Sequence, residues 1–177
     1  MLTQTRTSRS LRELLEDSAE TLEKINELQE ILVNLRYEGR HQLGKNLRQV
    51  EGVLDFFNGE LMEHVEFEEE VIFPFIKRHI PKLEPLILLL SSEHEEFKRN
   101  LRSFHFWLKE FSRERGPLNH GKLIEKVREA GNYLICLLQI HLEEESEILY
   151  RVADQELRSN EKRELQKQIC RQRGWER

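Results

Sequence analysis

The sequence predicts an all-α protein, an antiparallel up-down four-helix bundle with a short C-terminal helix. Three observations carry this. Apolar residues recur at spacings of three and four almost throughout, the pattern that gives a helix one buried face. Only 8 Gly and 4 Pro interrupt 177 residues, too few for a many-stranded β fold, which needs a turn every ~8–12 residues. The breaks that do occur, at 39–44, 79–81 and 115–117, leave four long segments joined by short loops, as an up-down bundle requires.

The first segment, roughly 9–37, carries Leu11, Leu14, Leu15, Ser18, Leu22, Ile25, Leu28, Leu32 and Leu35 on one stripe. Ser10 and Glu13 form a capping box at its start. The second, 44–79, carries Leu47, Val50, Leu54, Phe57, Leu61, His64, Glu68, Val71 and Phe75. Its phase runs straight through Gly59, so the glycine weakens or bends the helix without ending it. Pro74 should kink or end the helix near that point, because it lacks an N–H. The third segment, 83–112, carries Ile87, Leu90, His94, Phe97, Leu101, Phe104, Leu108 and Phe111. The fourth, 120–156, carries Ile124, Val127, Ala130, Leu134, Leu137, His141, Glu145, Ile148 and Val152. A charged helix over about 160–172 closes the chain. The domain organisation expected is therefore a flexible N-terminus at 1–8, the bundle at 9–156, and a charged C-terminal helix and tail at 157–177.

Composition excludes several classes. The net charge of −5 combines mixed signs, which gives no reason to expect nucleic acid. No run approaches the ~18 apolar residues of a membrane span. The N-terminal MLTQTRTSRS lacks the apolar core of a secretory signal. Two cysteines, Cys136 and Cys170, provide no disulfide framework, so a reducing cytoplasm is expected. Cys136 reads as a small core-flanking residue.

The informative residues are the polar ones inside the stripes: His64, Glu68, His94, His141 and Glu145. Each stands where a bundle otherwise wants Leu or Phe. An unpaired buried carboxylate is too costly to persist as a charge, so it needs a metal or a cation. No Lys or Arg shares these stripes nearby, which leaves a metal. The i, i+4 spacing of His64 with Glu68, and of His141 with Glu145, puts each pair on one helical face. The surrounding windows also match: HVEFEEEVIFP at 64–74 and HLEEESEILYR at 141–151. Two such helices suit a two-metal site, each giving one terminal imidazole and one carboxylate able to bridge. Mixed imidazole and carboxylate ligation suits iron, with manganese or zinc possible by chemistry. Among the neighbours, Glu69 and Glu144 read as surface charge or as carboxylates against the imidazoles. Tyr133 and Tyr150 read as structural, with a hydrogen bond donated near a bound ligand as the alternative. His79, His105 and His120 read as solvated.

These windows, with the lone His94 in SSEHEEF between them, resemble the metal-binding helices of the hemerythrin-like (HHE cation-binding) family. The resemblance spans about 9–156. It implies a hemerythrin-like bundle holding iron, two ions bridged by carboxylates, with His64, Glu68, His94, His141 and Glu145 as metal ligands. It also implies a histidine on the first helix, which this sequence lacks. The first histidine is His41, in a loop, and the stripe position level with His64 is Ser18, in LLEDSAE. Asp17 and Glu20 flank it but point off the stripe. The ion served by His64 is therefore one imidazole short, with room for water or a small ligand.

The function expected is a non-haem di-iron protein that binds O2 or another small ligand such as NO, or senses redox state or iron. No separate catalytic acid, nucleophile or cofactor loop is visible, which suits binding better than turnover. The alternatives are a di-iron enzyme or repair factor acting on peroxide, nitric oxide or damaged iron–sulfur clusters, and a metal-free helical interaction scaffold.

Overall fold

A computed structural model describes residues 9–37, 43–114 and 117–172, and every described element is helical. The 1–8 segment, the side chains of Ser10 and Glu13, and Trp175 lie outside the described residues. Helix α1 (Arg9–Tyr37) is followed by α2 (Leu43–Asn58) and α3 (Glu60–Phe67), then a π-helical turn (Glu68–Ile72) and α4 (Phe73–His79). A 3-10 turn (Pro81–Leu83) leads into α5 (Glu84–Arg113). Helix α6 (Pro117–Glu144) passes through a second π-helical turn (Glu145–Tyr150) into α7 (Arg151–Glu156), and α8 (Ser159–Gln172) ends the described chain. Neighbouring packing runs α2 on α1, α1 on α6, and α6 on α5, as in the expected up-down bundle.

The second and fourth segments each bend through several elements instead of forming one α-helix. At Gly59 the break is a single residue. Its N–H reaches the Asp55 carbonyl at 2.9 Å and its carbonyl receives Glu63 N–H at 3.0 Å, so the axis continues, as the sequence suggests. Pro74 does not end its helix either. It sits in the first turn of α4, where a missing N–H costs least, and the π turn directly before it takes up the mismatch. There the Phe73 N–H bonds to the Glu68 carbonyl, five residues back. The fourth segment has a π turn at the equivalent place without any proline.

A π turn inserts one residue into the helical repeat, and the buried stripe slips by one after each. Beyond Glu68 the buried residues are Ile72 and Ile76, where the stripe predicted Val71 and Phe75; Phe75 stays buried, and Val71 is half-buried. Beyond Glu145 they are Leu149 and Ala153 instead of Ile148 and Val152, and Ile148 is 45 % exposed. Two further expectations are corrected. Leu22 is exposed and Thr21 is buried in its place on α1, and Cys136 is exposed, not core-flanking. On α5 all eight predicted stripe residues are buried.

Two apolar clusters form the core. One gathers Ile25, Leu28, Phe57, Leu61, Phe97, Phe104 and Leu142 with their neighbours. The other gathers Leu14, Phe67, Ile72, Leu90, Leu149 and, from α8, Leu165 and Ile169. At Gly131 α6 comes so close to α1 that a Cβ would stand 2.6 Å from Leu32 Cδ1 and 3.1 Å from Phe104 Cε2. Along α3, α5 and α6, the polar residues singled out from sequence fall between the two clusters. They form one buried layer across the bundle.

Candidate metal centre

Glu68 and Glu145 are each the first residue of a π turn. Each turn follows directly on the helix that carries the histidine four residues earlier, so the internal repeat of the sequence is also a repeat of backbone geometry. π turns recur at functional sites because they aim a side chain that a regular helix would place elsewhere. His94 comes from the middle of α5. All five predicted residues are brought together: Glu68, His94, His141 and Glu145 are buried, and the His64 side chain is 9 % exposed.

Their donor atoms fall into two groups, Glu68 with His94 and His141, and His64 with Glu68 and Glu145; within each group the atoms lie within 4.8 Å of one another. Glu68 belongs to both. The Nε2 atoms of His94 and His141 approach to 3.1 Å. That is the spacing of neighbouring nitrogens on one ion, each at ~2.1 Å from it. Four buried polar atoms, both ring nitrogens of His64, Glu68 Oε2 and Glu145 Oε2, lack a hydrogen bond. His64 Nε2 does lie 3.0 Å from Glu68 Oε1, but without hydrogen-bond alignment. Orphaned atoms that converge in a dry layer are what a cation satisfies. The residues present fit a metal.

The outward side of each imidazole meets a carboxylate. His94 Nδ1 lies 2.9 Å from Glu69 Oε1, His141 Nδ1 lies 2.9 Å from Glu93 Oε2, and His64 Nδ1 lies 3.4 Å from Asp17 Oδ2. A carboxylate there holds the ring proton on Nδ1 and leaves the Nε2 lone pair for the metal. Lys98 anchors Glu69 at 3.5 Å, and the Phe73 ring stacks on His94 with centroids 5.6 Å apart. From sequence, Glu69 and Glu144 read first as surface charge, with this role as the alternative. Glu69 fills it, but Glu93, one residue before His94 on α5, stands in for Glu144. Glu93 and Asp17 carried no periodic signal, because both lie off the stripes.

Tyr150, read from sequence as structural, is buried and its hydroxyl bonds to Glu145 Oε1 at 2.7 Å and to Glu68 Oε1. The one-residue slip of the second π turn brings it inward. Tyr133 is 48 % exposed and bonds to Glu96 at the surface. His105 is exposed as expected, whereas His79 is half-buried against Phe75 with Glu161 at 3.5 Å.

Electrostatics separate the two carboxyls. Burial and then the negative charge of Glu68 hold Glu145 well above the ordinary carboxylate range. Burial pushes Glu68 the same way, but the charge of His64 and hydrogen bonds from its neighbours outweigh it and hold Glu68 well below. For His64, burial favours the neutral ring, and the charge of Glu68 with its contacts to Asp17 overrides burial and raises the pKa well above the usual value. Without metal the layer thus favours charge on His64 and Glu68 and the neutral form of Glu145.

The first-helix position level with His64 is Ser18, buried, with its hydroxyl turned back to the Leu14 carbonyl at 3.1 Å. It donates nothing to the layer. A small apolar recess of about 10 Å³ lies on the other side of the imidazoles, lined by His64, His94, His141, Leu61, Phe97 and Leu138 among others.

A helical bundle with an inward layer of paired His-x-x-x-Glu helices and a lone histidine defines a class of cation-binding bundle. The family model of the hemerythrin HHE cation-binding domain matches residues 9–118, more than half of the chain, and the chain belongs to that family. The matched region holds His64, Glu68 and His94, and stops before His141 and Glu145. A comparison with curated proteins gives no match. Among the described residues no helix is long and apolar enough to cross a membrane.

Proposed function

We propose that this protein is a non-haem di-iron protein that binds O2 or a comparable small ligand such as NO. His94, His141 and Glu68 would hold one ion, and His64, Glu68 and Glu145 the other. Iron bound there would supply the redox-active open position at which such a ligand is held. The observation that carries the reading is the recess beside the three imidazoles. Its space of about 10 Å³ is near the limit for a single water, so it favours a ligand of very few atoms over any larger substrate. Its apolar walls keep water away from the ligand, while Asp17, Glu69 and Glu93 fix the rings that face it. The free thiols of Cys136 and Cys170 are consistent with a reducing cytoplasm.

The test is a colorimetric iron count on protein expressed with iron supplementation, followed by optical spectra with and without oxygen, azide or nitric oxide. Two irons per chain and a ligand-dependent absorption band are expected. Absence of bound iron would leave the metal-free scaffold as the better account. Multiple turnover of peroxide or nitric oxide would favour the enzyme.

A further inference from the structure

A second, larger cavity of about 570 Å³ lies on the opposite side of His64 from the apolar recess. Its walls come from α1, α2, α3, the first π turn and the end of α8. Six carboxylates line it, Asp17, Glu20, Glu60, Glu63, Glu66 and Glu70, and no Lys or Arg is among its described lining residues. Apart from Asp17 these carboxylates are exposed, so their charge reaches the cavity mouth. His64 forms part of the wall with a side chain only 9 % exposed; its Nδ1 lies 3.4 Å from Asp17 of the same cavity, and neither ring nitrogen makes an aligned hydrogen bond. Ser18, turned back onto its own helix, puts no donor between α1 and this imidazole.

We propose that this cavity is the port through which a hydrated divalent cation reaches the His64 position. The inference rests on the metal-centre reading above. Carboxylates grouped on one cleft focus the field, raise the local cation concentration and speed capture by ~10–10³-fold, an effect that salt screens. The His94/His141 position has no such approach, because both imidazoles are buried and neither lines this cavity. The cation at His64 therefore arrives first and exchanges first.

The experiment uses Co2+ as an optical probe of site filling, mixed rapidly with the full-length metal-free protein at low and high salt. The cavity variant E60Q/E63Q/E66Q/E70Q removes four charges that touch no proposed ligand. The control E110Q/E125Q/E129Q/E164Q removes four elsewhere. The cavity variant should fill about 10-fold more slowly at low salt, with little salt dependence and the same final stoichiometry, while the control fills like the parent. Equal filling rates for the cavity variant and the parent would overturn the port and leave the metal centre standing. Equal slowing by the control would overturn it too, since net charge would then suffice. A parent protein that binds no Co2+ or iron would overturn the metal centre, and the port with it.

Discussion

The hydroxyl of Tyr150 lies 2.7 Å from Glu145 Oε1 and also bonds to Glu68 Oε1. One phenolic proton cannot serve two carboxylates at once, and burial and the charge of Glu68, which raise the pKa of Glu145, favour a second proton there. The three side chains thus share protons in a layer that water does not reach. Replacing Tyr150 by Phe leaves two buried acceptors short of a donor. Such losses cost about 1–3 kcal/mol. Urea denaturation of metal-free Y150F should show that loss, and a variant as stable as the parent would mean the hydroxyl is not needed to hold the pair.

Metal loading should release protons. In the metal-free layer His64 and Glu145 both titrate above their ordinary values, so each holds a proton that a bound ion must displace. Apparent affinity should rise with pH while those protons remain. The sign for stability follows. A group whose folded pKa is raised stabilises the fold below its unfolded value and loses that contribution as pH climbs through the folded one. Metal-free protein should therefore melt lower as pH rises above about 4.3, where Glu145 begins to lose its contribution, and lower still above about 6.5, where His64 does, while Glu68, held low, weakens it only under acid conditions. Melting temperatures across pH, with and without metal, check both statements. Calorimetry in buffers of different ionisation enthalpy counts the protons.

His141→Ala should lose the ion shared with His94, since it deletes one of only two imidazoles in that donor set. The milder E93Q keeps the imidazole and removes the carboxylate behind it. Such outer partners typically govern 10–100-fold in metal affinity. Chelator competition should rank parent above E93Q above H141A. Identical iron retention in all three would remove His141 from the ligand set.

Ser18→His tests the missing first-helix ligand. Ser18 is 7 % exposed and inward-facing, so an imidazole there enters the layer from α1. Slower chelator-driven loss of the ion at His64 is expected. If the serine only eases packing, the bulkier ring instead costs about 1–3 kcal/mol by crowding with no gain in iron. Iron per chain and melting temperature, measured on the same sample, separate the two outcomes.

Gly131→Ala probes the close approach of α6 to α1. Alanine gains about 1 kcal/mol in helix propensity over glycine, but its methyl would meet Leu32 at 2.6 Å and Phe104 at 3.1 Å inside a packed cluster. Crowding of that kind costs about 1–3 kcal/mol, so net destabilisation by up to about 2 kcal/mol should appear in thermal melts.

The helices, and the layer in which His64, Glu68, His94, His141 and Glu145 meet, were legible because a 3.6-residue period reports which side of a helix is buried. The period fails where the helix itself changes. Ile148 sits on the predicted stripe yet is exposed, and Tyr150 lies off it yet is buried, because the π turn inserts a residue between them and Glu145. Glu93 was missed, and Asp17 was set aside as off the stripe, for a different reason. Residues that back an imidazole stand beside the stripe, where a charged side chain looks like any other on a solvated face.

Glu68 is the one residue present in both donor sets, and this has a consequence for how the centre fills. If two ions bind as proposed, the first, at His64, would orient that carboxylate for the second. The two occupancies would then be coupled through Glu68, so the second ion's affinity would depend on whether the first is bound. Loss follows the same rule: damage at His64 or His141 removes a single partner, whereas damage at Glu68 uncouples the pair and empties both.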